Sequence, residues 1–277
     1  MTPRKQTKTA VPSAAREFPP EATKHPSFFP LNNVAVICLI IVFSCLGMYF
    51  RSLSYDYSYN DDDVMILDNA AFLHNLSNIP QAIVSDAWFK HQQIELYRPL
   101  QNVTFMLDAA LGKDIIFSTH RTNLILHILC CLAVFFLLQL FRFDRKYALF
   151  GALIYAVHFL FLHAVIWIPA RGDLLLTLNA LLTTITFLLI LRSGKWYHYV
   201  LNVLAFGLAL FSKESAIMLP LIFVVYLILF SRKTLFTKEK GLLGIFYLLK
   251  HLDLPARHIE LISTFAFVAN YYARDCR

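Results

Sequence analysis

The sequence predicts an all-α, polytopic membrane protein with about six transmembrane helices and with interfacial helices in its first outer loop. Hydrophobic residues occupy 58% of the 277 positions and charged residues 16%, whereas a soluble domain is about half apolar and a quarter charged. The apolar residues form runs of about 17 to 22, the length that crosses a hydrocarbon core of about 30 Å. The net charge of +7 does not indicate nucleic-acid binding, because many Lys and Arg residues flank these runs.

The apolar runs follow a polar, Pro-rich segment, residues 1–32, which is predicted to be a disordered cytoplasmic N-terminus. Residues 33–231 then form a predicted membrane domain, with residues 51–121 as its outer loop. Residues 232–277 are predicted to be a cytoplasmic or interfacial segment, since their apolar stretches are short. The six predicted spans are about Val34–Phe50, Thr122–Phe141, Tyr147–Ile168, Leu174–Leu191, the short Tyr199–Phe211, and Ala216–Phe230.

The distribution of basic residues predicts the orientation of these spans. With a cytoplasmic N-terminus, the loops at 142–146, 192–198 and from 231 onward lie in the cytoplasm, and they are rich in Lys and Arg. The short outer loops carry only Arg171 and Lys213, each close to an acid. Four of the five cysteines lie within apolar runs, where cysteine behaves as a small buried hydrophobe. His127, inside the second run, is interpreted as a residue that bridges helices rather than as a ligand.

The outer loop contains the first candidate site, the adjacent carboxylates Asp61, Asp62 and Asp63. Their mutual repulsion suits a general base or a metal ligand, and an acidic turn that caps a helix is the alternative. Further along the loop, Pro99 is typical of a helix start, and the apolar spacing from Gln101 to Leu111 predicts a helix along the membrane surface. Arg98 at that start would bind a lipid phosphate, or would simply extend to the head groups.

The remaining candidates lie in the short outer loops. Ionisable groups at the edge of a span are costly, which favours a function for them. Arg171 with Asp173, and Lys213 with Glu214, would alternatively neutralise each other as close neighbours in sequence. Acids that take a proton and bases that hold a phosphate are then predicted on one side of the membrane, as transfer from a lipid phosphate requires.

Six segments of the chain form a pattern that can be compared as a set. They are Tyr59–Asn69, Tyr97–Leu100, Leu124–His127, Ala156–His158, His163–Asp173 and Phe211–Glu214. Their order and spacing resemble the membrane half of the transmembrane and tetratricopeptide-repeat O-mannosyltransferases and their bacterial relatives, in the GT-C superfamily of glycosyltransferases. The resemblance covers about residues 35–230.

The resemblance implies a partial GT-C fold and a glycosyltransferase that moves a sugar from a polyprenyl-phosphate donor to a hydroxyl, on a protein acceptor, at the outer face. It maps the family's acidic pair onto Asp61 and Asp62, with Asp62 as the base. It implies that Arg98, Arg171 and Lys213 stabilise the departing phosphate, and that a sugar pocket contains His163, Trp167, Asp173 and Glu214. It leaves open a divalent cation at Asp61 and Asp62. It also implies a bacterial inner membrane or the endoplasmic reticulum as the location.

Two other functions remain from the sequence. GT-C membrane domains have ten or more spans, so a chain with about six would be a catalytically incomplete subunit that needs the remainder of the enzyme as a partner. A transporter is the third hypothesis, although the charges cluster at the outer surface rather than within the spans.

Overall fold

The computed structural model describes residues 33–58, 60–89 and 96–230, all of them within one compact unit, residues 31–277. This part of the chain is helical, with connecting turns and no β-strand, as the sequence predicts. The predictions for residues 1–32 and 232–277 lie outside the described residues. The α-helices are α1 (Val34–Tyr49), α2 (Ala70–Leu73), α3 (Ile79–Val84), α4 (Pro99–Leu111), α5 (Ile115–Leu140), α6 (Arg145–Val157), α7 (Leu162–Ile166), α8 (Arg171–Ser193), α9 (Trp196–Ser212) and α10 (Leu219–Phe230).

Three segments of the described part are long and apolar enough to cross a membrane, namely Val34–Ser54, Ile115–Leu140 and Ile168–Ser193. A fourth span results if the pair Arg145–Val157 and Phe159–Ile166, bent by 50°, is counted as one. The predicted number of about six is therefore not confirmed. The fifth and sixth predicted runs form shorter apolar helical segments, Trp196–Ser212 and Glu214–Phe230.

Local sequence explains where several helices begin and end. The side chain of Asn33 accepts a hydrogen bond from the Ala35 amide at 2.9 Å, and that of Asp114 accepts one from the Ile116 amide at 2.9 Å, so both act as N-caps. Pro99 occupies the first position of α4, which confirms the predicted start. Gly194 ends α8 in the left-handed conformation, with φ of 61°.

The third predicted span breaks at His158, where the backbone is extended between α6 and the next helical turn. The His158 Nδ1 accepts a hydrogen bond from the Leu160 amide at 3.3 Å and so caps that turn. The predicted span Tyr147–Ile168 is therefore divided into two helical segments, because a side chain in the run starts a new helical turn.

The long helices pack around α5, which contacts α1, α6 and α8, while α8 also packs along α9. One apolar core lies between α1, α5 and α6, and another joins α8, α9 and α10. The outer loop has a core of its own, in which Met65 and Ile66 pack with Phe105 and Met106 of α4 and with Ile168. This packing attaches the acidic segment before Met65 to the ends of the long helices.

Helix α4 presents an unexpected face to the protein. Its buried residues include the polar Gln101, Asn102 and Asp108, whereas Leu107 and Leu111 of the predicted apolar face are exposed. Met106 of the predicted apolar face is buried in the core with Met65 and Ile66. Helix α4 therefore directs both apolar and polar side chains into the protein and exposes only part of the predicted apolar face.

Candidate functional site

The acidic turn after α1 holds one carboxylate in a defined position. The side chain of Asp62 is only 2% exposed, although it follows Asn60 and Asp61 in a surface loop. Its Oδ2 accepts hydrogen bonds from the Ser58 amide at 2.7 Å and from the Ser58 hydroxyl at 2.8 Å. Its Oδ1 is buried and has no hydrogen-bond partner. Asp62 therefore has one oxygen that is fixed by the protein and one that is free to accept a proton.

The backbone on both sides of Asp62 departs from regular structure. Asp61 has a φ of 72°, in the left-handed region that non-glycine residues seldom adopt. Asp63 begins a single π-helical turn, Asp63–Leu67, and such turns are frequent at functional sites. The three acids thus differ in environment, because Asp62 is buried and its two neighbours are half-buried.

Trp167 connects the acidic turn to the segment before α8. Its indole Nε1 donates a hydrogen bond to the Asn60 carbonyl at 2.7 Å. The rings of His163 and Trp167 lie 4.5 Å apart between centroids. His163 is exposed and Trp167 is half-buried, and the hydrogen bond to Asn60 places Trp167 at the acidic turn.

Arg171 has no exposed surface and is held by groups from two other helices. Its Nη1 lies 2.6 Å from the Asp108 carboxylate and 3.4 Å from the Thr104 hydroxyl, both in α4. Its Nε and Nη2 donate to the Asn123 side chain and the Thr119 carbonyl of α5, at 2.8 and 2.9 Å. The guanidinium also lies over the Phe105 ring, 4.3 Å from its centroid. These contacts make Arg171 a residue that joins helices, and in this arrangement its donors are already used by the protein.

Arg98 and Lys213 form ion pairs nearer the surface. Arg98 contacts Glu214 through two nitrogens, at 3.1 and 3.4 Å. Lys213 Nζ lies 2.5 Å from Asp173. The alternative in which Arg171 pairs with Asp173 and Lys213 with Glu214 differs from these contacts, since Arg171 pairs with Asp108, Lys213 with Asp173 and Glu214 with Arg98. Helical geometry explains the difference, since side chains two residues apart on one helix, such as Arg171 and Asp173, point to different faces.

Glu214 takes part in an electrostatic network with both cations. Partial burial alone would raise the pKa of Glu214, but the hydrogen bonds and the positive charges of Arg98 and Lys213 hold this pKa below its usual range. The Glu214 side chain is 46% exposed and that of Asp173 is 48% exposed, so both ion pairs are accessible to solvent. A charged ligand that arrives at this surface could therefore exchange partners with them.

Two polar side chains at the site were missed by the sequence analysis. Gln101 is fully buried, and neither atom of its amide group has a hydrogen-bond partner. His120 is 2% exposed, both its ring nitrogens lack partners, and it interacts electrostatically with Asp62 and Arg171. The available signal was that polar residues precede the apolar run of α5 and interrupt the apolar pattern of α4.

Gly172 allows a close approach at the start of α8. A Cβ at this position would lie 2.5 Å from the Gln101 Oε1 and 3.7 Å from the Arg98 Cδ. The predicted site residues lie at the end of the bundle where α1 and α9 end and where α4, α5 and α8 begin. They are connected there by the contacts of Trp167, Arg171, Gly172 and Lys213.

The acidic turn does not form a three-ligand metal cluster within the described ranges. Asp62 offers the free Oδ1 as one ligand atom, and carboxylate oxygens suit Mg²⁺ and Mn²⁺. A divalent cation at Asp61 and Asp62 accordingly stays a prediction.

Comparison with known proteins identifies similar sequences. The family model of dolichyl-phosphate-mannose-protein mannosyltransferases matches residues 104–252. Protein O-mannosyl-transferase TMTC3 of Homo sapiens is 29% identical over 206 residues, which cover 70% of this chain and 22% of that protein. The Mus musculus protein of the same name is 27% identical over 194 residues, or 68% of this chain and 21% of that protein. The chain thus spans about a fifth of the length of these relatives. No solved structure matches.

Proposed function

Because this chain belongs to the dolichyl-phosphate-mannose-protein mannosyltransferase family, we propose that it transfers mannose from dolichyl-phosphate mannose to a hydroxyl group of a protein. The family name supplies the donor and the class of acceptor, and the relatives are O-mannosyltransferases by name. The free, buried Oδ1 of Asp62 is the single observation on which the mechanism rests.

In the proposed reaction, Asp62 Oδ1 takes the proton of the acceptor hydroxyl as the acceptor oxygen bonds to the anomeric carbon of mannose. The bond from that carbon to the phosphate oxygen breaks, and its electron pair stays on the dolichyl phosphate. A single displacement of this kind inverts the configuration at the anomeric carbon. The hydrogen bonds from Ser58 to Oδ2 keep the carboxylate oriented while Oδ1 reacts.

The departing phosphate requires positive charge, for which Arg98 and Lys213 are the accessible candidates. The Arg98 side chain is 16% exposed and that of Lys213 is 25% exposed, and each contacts an acid that faces solvent. A phosphate that binds here would replace Glu214 or Asp173 as the partner of these cations. The N-termini of α4 and α8 begin beside these residues and favour an anion as well.

Arg171 has a positioning role in this proposal. Its fully buried guanidinium joins the first turn of α8 to α4 and α5, and so fixes the neighbouring residues that meet the donor. His163 and Trp167 offer aromatic surface for the sugar beside the acidic turn. The unpartnered amide of Gln101 and the ring of His120 offer hydrogen bonds to sugar hydroxyls at the polar side of the same site.

The orientation of the site supports a donor on the outer leaflet. Lys and Arg at the opposite ends of the long helices include Arg142, Lys146, Arg192 and Lys195. By the positive-inside rule these ends face the cytoplasm, so the acidic turn faces the lumen or the periplasm.

The test uses the full chain in detergent with added phospholipid, radiolabelled dolichyl-phosphate mannose, and a Ser/Thr-rich protein acceptor. We expect label in the acceptor, and we expect Asp62→Asn to lower the transfer rate by about 10²- to 10⁴-fold, the usual contribution of a general base. Asp144→Asn is the matched control, because Asp144 is exposed at the opposite end of the helices. Equal transfer by wild type and Asp62→Asn would contradict the proposed mechanism.

A second candidate is a membrane subunit that completes its site with another chain. The part of the chain that the structure describes has three or four candidate spans. Absence of transfer by the wild-type chain, together with stable co-purification of a larger membrane protein, would support this candidate over the first.

A further inference from the structure

Two pairs of polar side chains face each other between α1 and α5, away from the acidic turn. Cys45 and Tyr49 are one helical turn apart on α1, and His127 and Cys131 are one turn apart on α5. Residues four apart lie on the same face of a helix, so each pair is directed at the other helix. All four are buried, and at most 1% of any of them is exposed. Apolar side chains of α1, α5 and α6 pack around them, and the Tyr155 ring of α6 stacks on His127 with 5.7 Å between centroids.

The sulfur atoms and the imidazole lie at distances that suit a shared metal ion. Cys45 Sγ and Cys131 Sγ are 3.6 Å apart, and Cys131 Sγ is 3.6 Å from His127 Nε2. One ligand atom from each of the three residues lies within 4.8 Å of the others. Tetrahedral zinc with Zn–S bonds of about 2.3 Å places two sulfurs roughly 3.8 Å apart. The two thiols therefore need to move very little to bind one ion.

The ring nitrogen of His127 that faces the thiols is Nε2, which lies 3.6 Å from Cys131 Sγ. The same nitrogen lies 3.1 Å from the Ala156 carbonyl oxygen of α6, to which it donates a hydrogen bond when it carries the ring proton. In the complex with a metal ion the lone pair of Nε2 would bind the ion, and the ring proton would be carried by Nδ1, which is buried.

We propose that Cys45, His127 and Cys131 bind a zinc ion between α1 and α5. Binding releases the two thiol protons to solvent, and the two thiolates balance the charge of Zn²⁺ while the imidazole stays neutral. A neutral complex avoids the cost of a net charge among apolar helices. Tyr49, whose ring lies 5.0 Å from that of His127 between centroids, adds a buried hydroxyl without a hydrogen-bond partner on the same face of α1.

The chemistry of the ligands selects among metals. Thiolates and imidazole favour zinc or copper over Mg²⁺ and Ca²⁺, which prefer oxygen ligands. Two thiolates with Cu⁺ would leave a net negative charge in the apolar core, whereas zinc leaves none. The proposed ion would hold α1 against α5, and it is independent of the proposed transfer reaction.

The test measures metal bound to the full chain, purified in detergent without a polyhistidine tag and without chelators. Elemental mass spectrometry should find about one zinc ion per chain, as expected for one set of ligands. Cys45→Ala, Cys131→Ala and His127→Ala should each weaken zinc binding by more than about tenfold, since even outer groups of such sites contribute that much. Cys130→Ala is the matched control, because the neighbouring buried Cys130 thiol instead contacts the Leu174 carbonyl at 3.6 Å.

A second readout uses only the wild-type chain and so does not depend on the folding of a variant. A small, membrane-permeable maleimide should modify Cys45 and Cys131 faster after a zinc chelator is added, and Cys130 at an unchanged rate. Zinc at background level, copper in its place, zinc retained by a Cys45→Ala/Cys131→Ala chain, or a disulfide between the two cysteines would each overturn the proposal.

Discussion

At the scale of single residues, the cations of the site differ in burial and in the exposure of the acids that pair with them. Arg171 is fully buried and paired with Asp108, whereas Arg98 and Lys213 are partly exposed and paired with solvent-facing acids. A buried charge that loses its partner is very costly, while an exposed pair contributes little to stability. The first pair therefore serves the fold, and the other two remain able to exchange partners.

Arg171→Met should destabilise the protein by about 3–5 kcal/mol, because Asp108 is left charged and buried. Asp108→Leu should have a similar effect, since it leaves the guanidinium unpaired. The double variant should lose less free energy of unfolding than the sum of the losses of the two single variants. The difference is a coupling free energy, which denaturant titrations in detergent micelles would measure. Strictly additive losses would show that the ion pair does not hold these helices together.

At the scale of helices, the site is assembled from element ends. Arg98 precedes α4, Arg171 begins α8, and Glu214 follows α9. The ion pair between Arg98 and Glu214 and the buried contacts of Arg171 therefore connect α4, α5, α8 and α9. Helix α4 supplies the buried polar residues Gln101 and Asp108 to this assembly. It also packs Phe105 and Met106 into the core of the outer loop, so one helix connects that core to the ion pairs.

Acid titration should release the contact between Arg98 and Glu214. Because the folded-state pKa of Glu214 lies below its usual range, the pair contributes stability above the unfolded-state pKa of about 4.3, and this contribution is lost as the pH falls through the folded-state pKa. Glu214→Gln should therefore be less stable than wild type at neutral pH by at most about 1 kcal/mol, since the pair is exposed. Thermal unfolding at several pH values would measure the difference.

The difference between wild type and Glu214→Gln should disappear toward strongly acidic pH. A difference that stays constant from neutral to acidic pH would mean that the ion pair contributes nothing and that the substitution acts through packing. Asp144→Asn, at an exposed position at the opposite end of the helices, is a suitable control for the loss of one carboxylate.

At the scale of the whole molecule, sequence reasoning predicted elements better than contacts. The positions of α1, α8 and α9 and the start of α4 followed from apolar run lengths and from Pro99, because both depend on local sequence. The ion-pair partners did not follow from local sequence. Asp108 is 63 positions away from Arg171, and only the fold brings the two side chains together. The break at His158 was hidden as well, because the apolar pattern continues through it.

The orientation of the whole molecule can be tested by labelling. The variant Lys113→Cys, with a new cysteine before α5, should react with a membrane-impermeant maleimide only from the outer side of sealed vesicles. A cysteine at Lys146, near the start of α6, should react only from the cytoplasmic side. Each signal is measured as the excess over the parent chain, whose described cysteines are buried or half-buried. Labelling of both positions from one side would contradict the topology.

The most direct test of the central claim compares donor binding with transfer in the same purified preparations. Asp62→Asn should bind dolichyl-phosphate mannose about as well as wild type but should transfer almost no mannose, because only proton removal is lost. Arg98→Ala and Lys213→Ala should weaken donor binding, and Lys113→Ala, an exposed cation on the same side, should change neither property. Loss of donor binding by Asp62→Asn, or transfer by it at the wild-type rate, would contradict the assignment of Asp62 as the catalytic base.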